Sequence, residues 1–306
     1  MRLIFAGTPA AAVPSLRALA ASSHTIATVV TRPDAPIGRK RVLTPSPVAA
    51  TADELQLPTL KTRRLDPEAS AHLEALDADL GVIVAYGGLV REPLLSTPRH
   101  GWINLHFSLL PRWRGAAPVQ HALIAGDAET GSSVFRLVAE LDAGDVYSEV
   151  RYRVPPLATA ADVLRELSII GAEQIVGVVD ALAAGTAVAT PQAGTPTLAP
   201  KLDAADGRLD VTQPADVVLG RFRGVTPEPG AHLVVDGQRL KVLAAHRAES
   251  TARPAPGQLA LQGREVVVGT ADDAIALERV QPAGKAAMVA GDWWRGLRVD
   301  ELQVEK

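Results

Sequence analysis

The sequence contains no cysteine, which excludes disulfides, thiolate metal sites and cysteine nucleophiles. It also lacks a basic leader. The opening MRLIFAGTPAAAV carries an apolar run too short for a signal peptide or a membrane span, so a soluble, cytoplasmic protein without a membrane partner is expected. A large excess of either charge is missing too: the net value is −3. That argues against a bulk nucleic-acid coat but leaves room for an RNA held by local basic loops. After the first apolar run stands Gly7-Thr8-Pro9, where a dinucleotide enzyme would show G-x-G-x-x-G, so a nicotinamide or flavin enzyme is disfavoured. Those three residues read either as a plain strand-to-helix turn or as a backbone contact to a ligand. No H-x-x-x-H pattern or carboxylate cluster points to a metal, and none is expected. Lysine is scarce, and no internal repeat is apparent.

What is present fits two domains of ordinary size: 306 residues, 47% apolar and 21% charged, enough to bury a sizeable core. RLIFAGTP, TIATVVTR, DLGVIVAYGG and GWINLHF read as buried strands of a parallel sheet. PSLRALAAS, SPVAATADELQ and DPEASAHLEAL lie between them and read as helices, the last two with Ser or Asp at the N-cap. Such alternation predicts a doubly wound, Rossmann-like α/β domain. GAAPVQHALIAG adds a helix, and SSVFRLVAEL with DVYSEVRYRV a hairpin-like extension. ADVLRELSIIGAEQIVGVVDALAAG is the strongest helix, with Val163, Leu164, Leu167, Ile170, Ile175, Val178 and Leu182 on one stripe. The pattern then stops. Residues 187–205, rich in Pro, Gly and Thr, read as a linker between a domain at 1–186 and a second at 206–306. The second domain turns to short strands. HLVVDGQRLKVLAA carries a DG hairpin signal, GQLALQGREVVVGT and DDAIALERV continue the series, and a small all-β, OB-like barrel fits the run.

One stretch carries chemistry. In NLHFSLLPRWRGAAP, Asn104 and His106 stand two apart in an apparent strand, so both side chains leave the same face. They lie near the carboxyl end of that strand, where open α/β sheets bind ligands. A lone buried His is usually a satisfied core residue; an Asn beside it favours a catalytic pair. Ser108-Leu109-Leu110-Pro111 is stiff, because proline fixes its own φ and restricts Leu110. In VAYGGLV, Gly87 and Gly88 follow a strand and read as an ordinary turn or as backbone open to a flat heterocycle. TRPDAPIGRKR places Arg32, Arg39, Lys40 and Arg41 on an irregular, exposed loop, either solvated or gripping a polyanion. Lys61–Arg64 read as a charged surface turn. Arg221, Arg223, Arg239 and Lys241 of the second domain could track phosphates, though that domain balances its charges and any such patch must be one-sided. Asp142, in LDAGD, reads from sequence alone as turn chemistry.

AGTPAAAVPSL, TRPDAPIGR with TPSPV, VIVAYGGLV, NLHFSLLPRWRGAAPVQ and LDAGD resemble, in order and near spacing, the methionyl-tRNA formyltransferase family. APKLDAADGRLD, RGVTPEPGA and QPAGKAAM resemble its second domain, so the resemblance spans nearly the whole chain. It implies transfer of a formyl group from 10-formyltetrahydrofolate to the α-amino group of initiator methionyl-tRNA; a cytoplasmic, metal-free monomer is expected. It makes Asn104, His106 and Asp142 the catalytic group. The attacked carbon becomes tetrahedral, and an Asn amide with a protonated imidazole are suitable donors to its oxyanion. An ionised Asp142 beside His106 would favour the imidazolium and could relay the amine's proton. The resemblance puts the folate against Tyr86, Gly87, Gly88 and Leu89, against Ser108–Pro111 with Arg112–Gly115 continuing the wall, and against Val138. It gives the tRNA to Arg32, Arg39, Lys40 and Arg41, and Arg221 and Arg223 of the second domain are the further cations expected to meet it. Two other readings stay open: formyl transfer to a small amine such as a purine precursor or amino sugar nucleotide, and a non-catalytic RNA-binding module.

Overall fold

The computed structural model describes residues 1–38, 41–249, 253–299 and 301–305. Two compact units form. The first comprises Met1–Pro118, Glu129–Arg153 and Leu164–Ala199; the second, Val119–Ala128, Val154–Val163 and Pro200–Lys306.

The first unit is built on strands β1 (Arg2–Gly7), β2 (Thr25–Thr31), β3 (Ala35–Ile37), β4 (Val42–Thr44), β5 (Thr59–Lys61), β6 (Leu80–Val84), β7 (Trp102–His106), β8 (Glu129–Arg136) and β9 (Val146–Arg153). Seven of them form one sheet in the order β5-β2-β1-β6-β7-β8-β9. The first five run parallel, and β8 and β9 close the edge antiparallel. Leu3, Ile4, Phe5 and Ala6 of β1 are fully buried, as expected of a central parallel strand covered on both faces. Helices α1 (Val13–Ala20), α2 (Pro47–Glu54), α3 (Pro67–Glu74), α4 (Pro118–Ile124) and α5 (Ala160–Ala184) follow the expected order. The Ser46 hydroxyl accepts from the Ala49 N–H and the Asp66 carboxylate from the Ala69 N–H, each at 3.0 Å. Both are N-caps.

Two packing details fix β7. Trp102 is fully buried and donates its indole N–H to the Leu94 carbonyl at 2.9 Å. Its ring lies over Gly81 of β6, where a methyl group would come within 2.0 Å of the indole. On α5, a methyl at Gly171 would meet the Leu105 side chain at 2.6 Å, so that helix lies close against the Leu105 face of β7. Asn104 and His106 therefore leave by the opposite face.

The basic loop after β2 is more regular than expected, because β3 and β4 pair as a two-stranded antiparallel ribbon. The short edge strand β5 was likewise not anticipated. The segment expected as a linker begins inside the first unit. Thr190 pairs with Val146, and Leu198 with Arg114.

In the second unit, β10 (His232–Val235), β11 (Gln238–Arg247), β12 (Gln258–Gln262), β13 (Glu265–Gly269), β14 (Ala274–Pro282) and β16 (Glu301–Gln303) pair in the order β10-β11-β14-β13-β12-β16, with β15 (Met288–Val289) beside β14. A bridge from Val235 to Val304 nearly closes the ring into a barrel. The expected hairpin joins β10 to β11, with Asp236 and Gly237 both at positive φ, 49° and 69°. Two unanticipated helices cover the barrel core. Val218 and Phe222 belong to α6 (Ala215–Gly224), and Trp293 and Trp294 to α7 (Ala290–Leu297).

Candidate active site

β7 ends at His106, and the chain then turns through Ser108–Pro111. Ser133 of β8 organises that turn. Its hydroxyl donates to the Ser108 carbonyl at 2.7 Å and accepts from the Leu110 N–H at 3.2 Å. The Ser108 hydroxyl in turn donates to the Arg112 carbonyl at 2.6 Å. Ser108 is thus wholly internal, while Leu110 and Pro111 are buried behind the turn.

His106 is only 5% exposed, and Asp142 9%. The imidazole Nε2 lies 2.8 Å from the Trp113 carbonyl. A carbonyl only accepts, so Nε2 carries the proton and, in the neutral ring, Nδ1 carries the lone pair. Nδ1 faces Asp142 Oδ2 at 3.7 Å, too far for a direct hydrogen bond. The Gly115 N–H donates to that same Oδ2 at 2.8 Å. Trp113 and Asp142 both hold left-handed backbone, at φ of 61° and 47°, a conformation non-glycine residues keep only when their surroundings impose it. The glycine of LDAGD has a steric reason: a methyl on Gly144 would lie 1.8 Å from the Arg136 carbonyl oxygen.

Burial lowers the His106 pKa from its ordinary value, and this outweighs the opposing pull of the Asp142 charge and of the Trp113 carbonyl. The resting ring is neutral near pH 7. This corrects the expected imidazolium: a carboxylate at 3.7 Å does not repay the loss of water around a buried ring. Phe135 sets its ring edge-on to the imidazole at 6.3 Å. Asn104 shares the His106 face, and its buried Oδ1 has no hydrogen-bond partner among the described residues.

The other expected residues fall in several places. Tyr86 is a core side chain, packed with Ile4, Val30, Leu73 and Trp102. Its hydroxyl pKa is raised by burial, against the lowering effect of Arg32. Its carbonyl accepts from the Thr8 hydroxyl at 3.1 Å, which joins the Gly7-Thr8-Pro9 turn to the YGG loop. Gly87 is open and Gly88 half-buried. Leu89 is 67% exposed, Val138 37% and Leu141 54%, while their neighbours Val90 and Leu137 pack on the Tyr86 cluster. Uncovered apolar side chains on two neighbouring loops suit a flat heterocycle, and the orphaned amide oxygen on β7 is an acceptor open to an N–H donor such as an amine. Among the described residues no group of three or more His, Asp or Glu side chains is placed to hold a metal ion.

Arg32 is engaged: its guanidinium donates to the carbonyls of Arg63 and Gly87 and stands 5.8 Å from the Tyr86 ring centroid. Arg41 is exposed at φ 49°, and Arg39 and Lys40 lie outside the described residues. Arg221 and Arg223 sit in the last turn of α6. Arg223 donates to the Pro156 carbonyl at 3.0 Å, and burial holds its pKa below the ordinary value. Arg239 donates to His232 Nδ1 at 3.0 Å, whereas Lys241 is exposed.

A buried His–Asp pair and an Asn at the carboxyl edge of a doubly wound sheet, followed in the chain by a small barrel, fit a group transferase working on carbonyl carbon. Residues 1–179 match the family model described as formyl transferase, and residues 201–298 the one described as formyl transferase, C-terminal domain. A methionyl-tRNA formyltransferase of Leifsonia xyli subsp. xyli is 59% identical over 296 residues, 97% of each chain. One of Clavibacter sepedonicus is 58% identical over 302 residues, 99% of each chain. The solved structure of WlaRD, a sugar 3N-formyl transferase in the presence of dTDP and 5-N-formyl-THF, is similar with a TM-score of 0.70 at 13% identity, covering 94% of this chain and 99% of that one. That last likeness concerns the fold. The chain belongs to the formyl transferase family and, within it, to the methionyl-tRNA formyltransferases.

Proposed function

We infer that this protein transfers the formyl group of 10-formyltetrahydrofolate to the α-amino group of methionyl-initiator tRNA. The observation that carries the reading is identity of 59% sustained along 97% of the chain to a protein of that name. Asn104, His106 and Asp142 supply groups suited to the chemistry. The folate supplies the formyl carbon as an activated amide of its N10.

A bond forms from the amine to that carbon, the bond to N10 breaks, and one proton must leave the amine. His106 is buried and neutral with Nε2 committed to Trp113, so Nδ1 is the position that takes this proton. The Asp142 carboxylate, 3.7 Å away, stabilises the imidazolium so formed. His106 then returns the proton to the departing folate nitrogen. Asn104 offers an amide donor to the formyl oxygen as it gains charge. An α-amino group of pKa about 7.7–8.0 is already partly neutral near pH 7, so no side-chain nucleophile is needed. The loops carrying Gly87–Leu89, Leu109 and Val138 wall the folate, with Ser108, Leu110 and Pro111 bracing the turn from behind.

The first unit serves as the catalytic domain and the second as a tRNA-binding domain, in a protein that acts in the cytoplasm as a monomer. Arg32, Arg39, Lys40, Arg41, Arg221 and Arg223 are the cations proposed to meet tRNA. Of these, Arg32 and Arg223 also hold carbonyls of this chain.

An acceptor panel tests the reading. With 10-formyltetrahydrofolate present, formyl should pass to the methionine of charged initiator tRNA and not to uncharged tRNA or an amino sugar nucleotide. Transfer to the small amine instead, or tRNA binding without transfer, would overturn it.

A further inference from the structure

We propose that Gln192 is a positioning residue of the transfer reaction, holding the Asp142 carboxylate against His106 from the segment that follows α5. The proposal rests on the formyl-transfer reading of the site above. Its physical basis is that one amide ties together the two loops that place that carboxylate.

The Gln192 Nε2 donates to the Asp142 carbonyl at 2.8 Å and to the Gly144 carbonyl at 2.9 Å. Its Oε1 accepts from Arg114 Nη2 at 2.7 Å and from Arg114 Nε at 3.2 Å. Carbonyls only accept and a guanidinium only donates, so the amide cannot be turned over without losing all four bonds. Both donor and both acceptor positions are filled. Glutamate would lose the donors, and leucine would lose everything.

The two loops so joined are those that matter at His106. Asp142 stands at φ 47°, a backbone its surroundings must hold, and its own carbonyl is one of the two that Gln192 grips. Its carboxylate is fixed by the Gly115 N–H, one residue past the Arg114 that Gln192 binds from its other side. The neighbouring Trp113 carbonyl holds His106 Nε2. The strap carrying Gln192 is pinned on both flanks. Thr190 exchanges backbone hydrogen bonds with Val146 at 2.8 and 2.9 Å, and the Thr197 carbonyl accepts from the Arg114 N–H at 2.8 Å. The Thr197 hydroxyl accepts from the Trp113 N–H at 2.9 Å. A side chain held at both ends with every hydrogen-bonding position used is built to fix a distance, here the 3.7 Å between His106 and Asp142.

Gln192→Leu and Gln192→Glu separate this from simple anchoring of the strap. Gln192→Glu keeps the bonds to Arg114 but cannot donate to the Asp142 and Gly144 carbonyls. Both variants should lose kcat by about 10²-fold, the scale on which small misplacements act, with KM for charged tRNA and for 10-formyltetrahydrofolate unchanged. If the residue only anchors the strap, Gln192→Glu keeps wild-type turnover, and that result overturns the proposal. A second readout does not need turnover. In ¹⁵N NMR of the whole chain, His106 of Gln192→Leu should titrate at lower pH than in the wild type, because the supporting carboxylate has moved. An unmoved titration would also overturn it. A wild-type chain that transfers no formyl group would refute the proposed function instead, and the titration would still decide the role of Gln192.

Discussion

Replacing Asp142 with asparagine removes one charge and little else. The amide oxygen can still accept the Gly115 N–H, so the φ of 47° and the loop keep their support. What disappears is the attraction between a carboxylate and an imidazolium 3.7 Å apart. At about 4 Å, two unit charges attract by about 1 kcal/mol at the dielectric of water and by about 4 kcal/mol at an effective dielectric of about 20. Both groups are nearly inaccessible to solvent, which places the loss toward the upper figure. At about 1.36 kcal/mol per tenfold, kcat should fall by about 10²–10³. Single-turnover formylation of charged initiator tRNA at saturating folate measures this directly. KM should hold, since Asp142 is given no role in ground-state binding. Asp142 raises the His106 pKa against burial, so its loss moves that pKa further down and carries the acid limb of the rate profile to lower pH. His106→Ala combined with Asp142→Asn should be far less than multiplicatively worse than either alone, because the pair acts as a unit. A loss smaller than about tenfold, or strictly multiplicative losses, would confine Asp142 to shaping its loop.

Asn104→Ala should reduce kcat by about 10²–10³, the range for losing one oxyanion donor, with an unchanged thermal midpoint, since the buried Oδ1 has no partner among the described residues; steady-state kinetics beside a melting curve checks both. His106 gives a stability signature as well. Its folded pKa is depressed, so the unfolded chain binds more protons below its ordinary value of about 6.5. The stability it contributes is complete above that pH and lost as pH falls toward the folded pKa. Urea titrations should show the wild type losing more stability than His106→Gln over that acid range, and parallel curves would contradict the assignment. Arg39→Ala should cut formylation of charged tRNA while leaving folate binding intact, and Arg39→Lys should recover only part, because the planar fork suits phosphate or base edges better than an ammonium. Affinity for tRNA should also fall with salt, and wild-type transfer by Arg39→Ala would remove the loop from the account.

The parallel strands were legible because a strand buried on both faces must be a continuous apolar run, and β1, β2, β6 and β7 are such runs. Asn104 and His106 were legible from alternation alone. Asp142 was not: its carboxylate reaches His106 through a loop 36 positions further along, and only the family resemblance singled it out. Ser133 and Gln192 gave no signal, since each acts through backbone carbonyls or amides that no side-chain pattern records. The stripe Ala215, Val218, Phe222 that buries α6 was present, but two glycines and two arginines diluted it. The ribbon of β3 and β4 was too short to show periodicity. The protonation state of His106 could not be read from its neighbours, because burial decides it.

The protonation state of His106 in the free protein decides whether it can act as the base. ¹⁵N NMR of the wild-type chain at pH 7 should show a neutral imidazole with its proton on Nε2, charging only below the ordinary histidine pKa of about 6.5, with the acid limb of formyl transfer to charged tRNA falling at the same pH. An imidazolium at pH 7, or a rate profile indifferent to the titration, would contradict the assignment of His106 as the base that Asp142 supports.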